Sequence, residues 1–136
     1  MTYHLSRTVE LPFDAAVAAT TAALKRHGFG VLTEIDVQAI LKAKLDVAFR
    51  PYRILGACNP HWAYKALQEE DKIGTMLPCN VVIQQHDGGK VEISAVDPVA
   101  SMQAIENATL AAVADQVRTL LRLVVDEVAA SVPPAA

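Results

Sequence analysis

Two β-rich runs, "CNVVIQQ" (79–85) and "KVEISAV" (90–96), are separated only by "HDGG". A short Gly-containing loop between such runs is a strong hairpin signal, so the two are expected as antiparallel neighbours. Asp97-Pro98 then breaks the second strand. Beyond it Leu110, Val113, Val117, Leu120, Val124 and Val128 recur at near-heptad spacing, which predicts one helix from about Ser101 to Ser131. At 1.5 Å per residue such a helix is about 45 Å long, more than a small sheet can cover. Leu121, Leu123 and Val125 lie outside the stripe and widen the apolar face. A homodimer contact through this helix or the sheet is therefore expected.

Upstream, residues 2–10 alternate as a half-buried strand does, with Tyr3, Leu5, Arg7 and Val9 on one side. A helix follows from about 13 to 27. Asp14 stands in its first turn, Lys25, Arg26 and His27 in its last, and Gly28 just beyond, all favourable to the helix dipole and C-cap. Ala15, Ala18, Ala19, Ala22 and Ala23 form its expected sheet-facing side. "FGVLTEI" alternates again, placing Phe29, Val31, Thr33 and Ile35 together, and Asp36 is a natural N-cap for a short helix through Val37, Ile40 and Leu41. A third strand spans Tyr52–Ala57, and Cys58 turns into another short helix at 60–70.

A chain of 136 residues with 52% hydrophobic and 20% charged residues is the size and composition of one globular domain, expected over 1–131 with a disordered tail at 132–136. Twelve Lys and Arg against 15 Asp and Glu give a net charge of −3, so no basic excess is available to neutralise phosphates and a nucleic-acid partner is not expected. "MTYHLSRTVELPF" has no continuous apolar core, hence no signal peptide or membrane anchor is expected there, and the reading is cytoplasmic. Cysteines in that compartment are normally thiols.

Cys58 precedes Asn59, a good N-cap, and Pro60, a good first helical residue, so its sulfur lies near the positive end of a helix, where a thiolate is favoured. Cys79 begins the fourth strand. If strands three and four pair antiparallel, the end of one and the start of the other share an edge, and the two sulfurs meet there. Three readings stay open. Cys58 and Cys79 serve as catalytic thiols in redox or sulfur-handling chemistry; Cys58, His61 and Cys79 bind a soft metal such as zinc or copper; or the cysteines are structural beside a small-ligand site of Asn59, Asn80, Arg53, Tyr52 and Trp62. Neither the thiol nor the metal set has a diagnostic spacing. No cofactor is indicated, and no paired-carboxylate or Ser-His-Asp arrangement is legible.

At "FRPYRILGACNP", "LPCNVVI" and "VEISAVDPVASM", with "GFGVLTEIDVQ" and "LKAKL" before them, the chain resembles the family called domain of unknown function 302 over roughly residues 3–130. The resemblance implies an α+β fold like that of TATA-binding protein. Its parts are an antiparallel sheet of about five strands, a helix after the first strand, short helices in the middle and a long C-terminal helix (β-α-β-β-β-β-α). It also implies dimers, and it carries no activity. Asp46 and Ala48 stand where the family pattern has Gly and Asp, and His61-Trp62 is an unusual continuation of Asn59-Pro60. A shared fold does not confer the minor-groove reading of TATA-binding protein, and the charge here opposes it.

Overall fold

In "VEISAV" the period of two decides which side chains are buried: Val91, Ile93 and Ala95 are, whereas Glu92, Ser94 and Val96 stay half-exposed. The computed structural model describes residues 2–132 and extends this pattern across one sheet. The elements are β1 (His4–Val9), α1 (Phe13–Arg26), β2 (Gly30–Asp36), α2 (Val37–Leu45), β3 (Tyr52–Cys58), α3 (Pro60–Glu69), a 3-10 turn (Ile73–Met76), β4 (Cys79–Gln85), β5 (Val91–Val96), α4 (Pro98–Ser101) and α5 (Ala108–Ala130). The strands lie in the order β1-β5-β4-β3-β2, every neighbouring pair antiparallel, so the fold is α+β. Of the expected tail, Val132 is exposed and outside any element, and 133–136 lie outside the described residues.

One face of the sheet carries α1 and α5; the other is open. Leu55, Val81, Ile83 and Ile93 meet Leu24, Leu110 and Leu121 between the layers, all essentially without solvent contact. Each such side chain stabilises the fold by about 1.5–3 kcal/mol through burial. Side-chain caps start the later helices: Asp36 accepts from the Ala39 N–H at 2.9 Å, Asn59 from Trp62 at 3.3 Å, and Asp97 from Val99 at 3.0 Å. At the end of α1, Gly28 adopts φ +85°, and the Gly28 and Phe29 N–H groups return to the carbonyls of Lys25 and Leu24. That pair of bonds closes a Schellman motif and drives Phe29 into the core.

Three expectations need correction. The buried side of α1 is Ala16, Thr20, Ala23 and Leu24, while Ala15, Ala18 and Ala22 face solvent. The larger Phe13, Val17 and Leu24 set the helix rotation, because they have more apolar surface to hide than any alanine. In β2 the register shifts between Val31 and Thr33, with Val31 opposite Ala57 and Thr33 opposite Gly56. The extra residue, Leu32, is a bulge, so Val31 lies on the helix side while Thr33 and Ile35 lie on the open side.

The C-terminal helix is also shorter than expected. Residues 102–107 form turns between α4 and α5, and Asn107 starts the longer helix anew by accepting from the Leu110 N–H at 2.9 Å. Its 23 residues span about 35 Å. Leu121 and Val125 are buried within the same chain, so the widened face is already covered, and only Leu123 stays exposed. Among the described residues no helix is long and apolar enough to cross a membrane.

Asp97, 5% exposed, ties the sheet to this helical layer. Besides capping α4, its Oδ2 lies 3.3 Å from Arg118 Nε on α5, and its N–H donates to the Tyr3 carbonyl at 2.8 Å. Gly56 is fixed by close approach. A Cβ there overlaps the Thr33 hydroxyl and comes within 2.8 Å of Pro78 Cγ. Gly56→Ala is expected to destabilise the protein by about 1–3 kcal/mol in denaturant unfolding, with part of the loss recovered in Gly56→Ala combined with Thr33→Ala. A neutral Gly56→Ala contradicts this packing.

Candidate functional site

The β3–β4 ladder pairs Ala57 with Cys79. Cys58 is the next residue, the last of β3, from which Asn59 and Pro60 lead into α3. Both thiols are free and both line one narrow cavity of about 30 Å³, room for one or two water-sized groups. Phe29, Trp62, Leu77, Met102, Val113 and Val117 supply its carbon walls. Asn59 is the other polar residue beside the thiols, and its Oδ1 is engaged as the α3 cap.

The two cysteines differ in setting. Cys58 is half-buried, just before the first turn of α3, where Pro60 has no N–H and the Trp62 N–H is taken by the Asn59 cap. Cys79 is 7% exposed. Burial pushes its thiol up from an ordinary 9.0 to about 11, and the neighbouring Cys58 adds to the shift by charge repulsion. At neutral pH Cys79 is therefore a protonated thiol, and the more accessible sulfur is Cys58.

The residues expected around them divide. Asn59 and Trp62 share the cavity with the thiols. Tyr52 and Asn80 instead line a separate depression on the open face of the sheet. Arg53 is held by Glu34 at 2.7 Å and Asp36 at 3.6 Å on β2, and its guanidinium lies over Phe13. Those five residues thus form no single ligand site, because consecutive strand residues such as Tyr52 and Arg53 face opposite sides of the sheet. His61 is exposed and meets the edge of Trp62 with ring centroids 4.9 Å apart. Among the described residues no three His, Cys, Asp or Glu side chains are gathered to hold a metal ion, so the set Cys58, His61 and Cys79 is not assembled as a metal centre. Sequence reasoning missed the far walls of the cavity: Phe29 arrives through the α1 cap, Met102 from the turn after α4, and Val113 and Val117 from α5. Only the buried stripe of α5 hinted at them.

Cys79 makes stability depend on pH. The fold prefers its protonated form, so the contribution is fully present below pH 9.0, the ordinary value, and is lost as pH rises through about 11. Ionising it in place costs roughly 2–3 kcal/mol, at about 1.4 kcal/mol per pH unit. The stability difference between the wild type and Cys79→Ala, measured by denaturant unfolding under reducing conditions, is expected to change by that amount across this range, to the disadvantage of the wild type. A difference independent of pH contradicts the burial of this thiol.

Residues 5–128 match the family described as Domain of unknown function DUF302. None of the curated proteins matches the chain. Among solved structures, the chain is similar to the crystal structure of an uncharacterized conserved protein DUF302 from Bacillus stearothermophilus. The TM-score is 0.88 at 27% sequence identity, with 94% of this chain and 99% of that one covered. The sheet order, the helical layer and the extent of the match agree: the chain belongs to the DUF302 family, a domain of unknown function.

Proposed function

We propose that the protein carries out thiol chemistry at Cys58, with Cys79 as the buried second thiol. What supports this reading is that two free thiols of unequal access line one apolar cavity. The reaction class is exchange with a small uncharged disulfide. Cys58, as thiolate, attacks one sulfur of R–S–S–R, forming a Cys58–S–S–R bond and releasing R–S⁻, which takes up a proton. Cys79, after losing its proton, then attacks the Cys58 sulfur, forming the Cys58–Cys79 disulfide and releasing the second R–S⁻. Two thiols are oxidised and one external disulfide is reduced to two thiols. Because Cys79 stays protonated at neutral pH, the second step is the slow one and the mixed disulfide on Cys58 is long-lived. The carbon walls favour a compact, uncharged R group, and the reducing cytoplasm is the proposed setting.

A second copy of this chain is the proposed partner, but not through α5. Leu32, Ile35, Ile40, Leu45 and Val47 are exposed along β2, α2 and the segment after it, and α2 buries none of its residues. A helix of nine residues is marginal without tertiary packing. The outer edge of β2 is also an unpaired strand edge, suited to antiparallel pairing with its own copy.

Dithiodipyridine tests the chemistry, since it is uncharged and each exchange step releases coloured thiopyridone. The folded protein is expected to release one equivalent quickly and the second slowly, with the slow phase accelerating as pH rises; Cys58→Ser removes the fast phase and Cys79→Ser spares it. If both thiols react only on unfolding, a ligand-binding module with structural cysteines is the reading that stands. Light scattering tests the partner: a wild-type dimer is expected, converted to monomer by Ile40→Glu with Leu45→Glu. A wild-type monomer, or a dimer indifferent to both changes, refutes that surface.

A further inference from the structure

The open face of the sheet holds a depression of about 300 Å³, at the lower end of the range for small-molecule sites. Its polar character follows from register. Ser6 on β1 lies opposite Ser94 on β5, and Ser94 opposite Val82 on β4; the next row sets His4 opposite Val96. The Ser6 hydroxyl donates to Ser94 Oγ at 2.7 Å, and His4 Nδ1 lies 2.6 Å from Ser6 Oγ. His4, Ser6 and Ser94 thus form one hydrogen-bonded chain along the depression. Asn80 and the Tyr52 hydroxyl add hydrogen-bonding groups with no intramolecular partner among the described residues, and Val82 and Val96 add apolar floor between them.

Charge narrows the ligand. No Lys or Arg is among the described residues lining the depression, and the guanidinium at its rim, Arg50, is engaged with Gln84 Oε1 at 2.9 Å and lies 5.6 Å from the Tyr52 ring, while Glu92 opposes an anion from within. That carboxylate is the one acidic group of the lining, and its Oε1 is shared with His86 Nε2 at 3.3 Å and Gln84 Nε2 at 3.5 Å, so it stands alone against a cation. What the surface offers is a close mixture of neutral donors and acceptors around methyl groups, with an aromatic wall at Tyr52. We propose that this face binds a small neutral polyhydroxylated molecule, a sugar ring being the simplest fit: hydroxyls pair with Ser6, Ser94, His4 and Asn80, and the C–H face lies on Val82 and Val96. The site is on the opposite side of the sheet from the helical layer and does not depend on the thiols.

The test is an amide chemical-shift titration of the full chain with D-glucose, D-galactose and maltose, with potassium phosphate as the charged comparison. At least one sugar is expected to give saturable shifts at Asn80, Val82 and Ser94, with a Kd on the order of 1 mM for so few contacts. Asn80→Ala and Ser94→Val are each expected to weaken binding about fivefold to tenfold while leaving the thermal midpoint close to that of the wild type. The proposal is overturned by no saturable shift with any sugar, by shifts that neither substitution weakens, or by phosphate shifting the same amides. It is equally overturned by concentration-dependent protection of those amides without ligand, which assigns the face to a second copy.

Discussion

The pairing of β3 with β4, in the register that sets Ala57 against Cys79 and Leu55 against Val81, is the constraint on which the rest depends. It puts the central strand β4 and its neighbour β3 in register beneath the helical layer, so Leu55, Val81 and Ile83 are sealed from water. It also brings the end of β3 and the start of β4 to one rim, where Cys58 and Cys79 line a common cavity. A slip of one residue reverses the burial of every side chain on a strand, and with it Cys79 moves to the open side. The packing that stabilises the sheet is thus the same packing that positions the thiols.

Burial sets the two sulfurs apart. Desolvation holds Cys79 as a neutral thiol, inert at ordinary pH but available as a partner once deprotonated. Cys58, where the strand gives way to α3, keeps solvent access.

Much of this was legible in the sequence. The hairpin at 79–96, the cap at Asp36, and the Asn59-Pro60 start of α3 each rest on local chemistry, and local chemistry is written in adjacent residues. Parity on a strand is written there too: Tyr52 and Arg53, or Cys79 and Asn80, are neighbours and so face opposite sides, although the expected ligand site placed Tyr52, Arg53 and Asn80 together. The bulge at Leu32 was not legible, because "GVLTEI" alternates equally well without it and only the pairing with β3 reveals the extra residue. Nor was the closure of α5 over Leu121 and Val125, since what covers a helix face is decided by elements far away in the chain. Asp46 shows a middle case. It departs from the expected glycine yet takes the same left-handed conformation, φ +52°, that glycine favours.

The central claim is that two thiols, distant in sequence, share one cavity in the folded chain. Dibromobimane, which becomes strongly fluorescent once both its arms have reacted, measures this directly at mildly alkaline pH. The account predicts fluorescence from folded monomeric chains, one reagent bridging Cys58 to Cys79, and none from either single Cys→Ser variant. Fluorescence absent from the folded wild type, or found only in cross-linked pairs of chains, contradicts it.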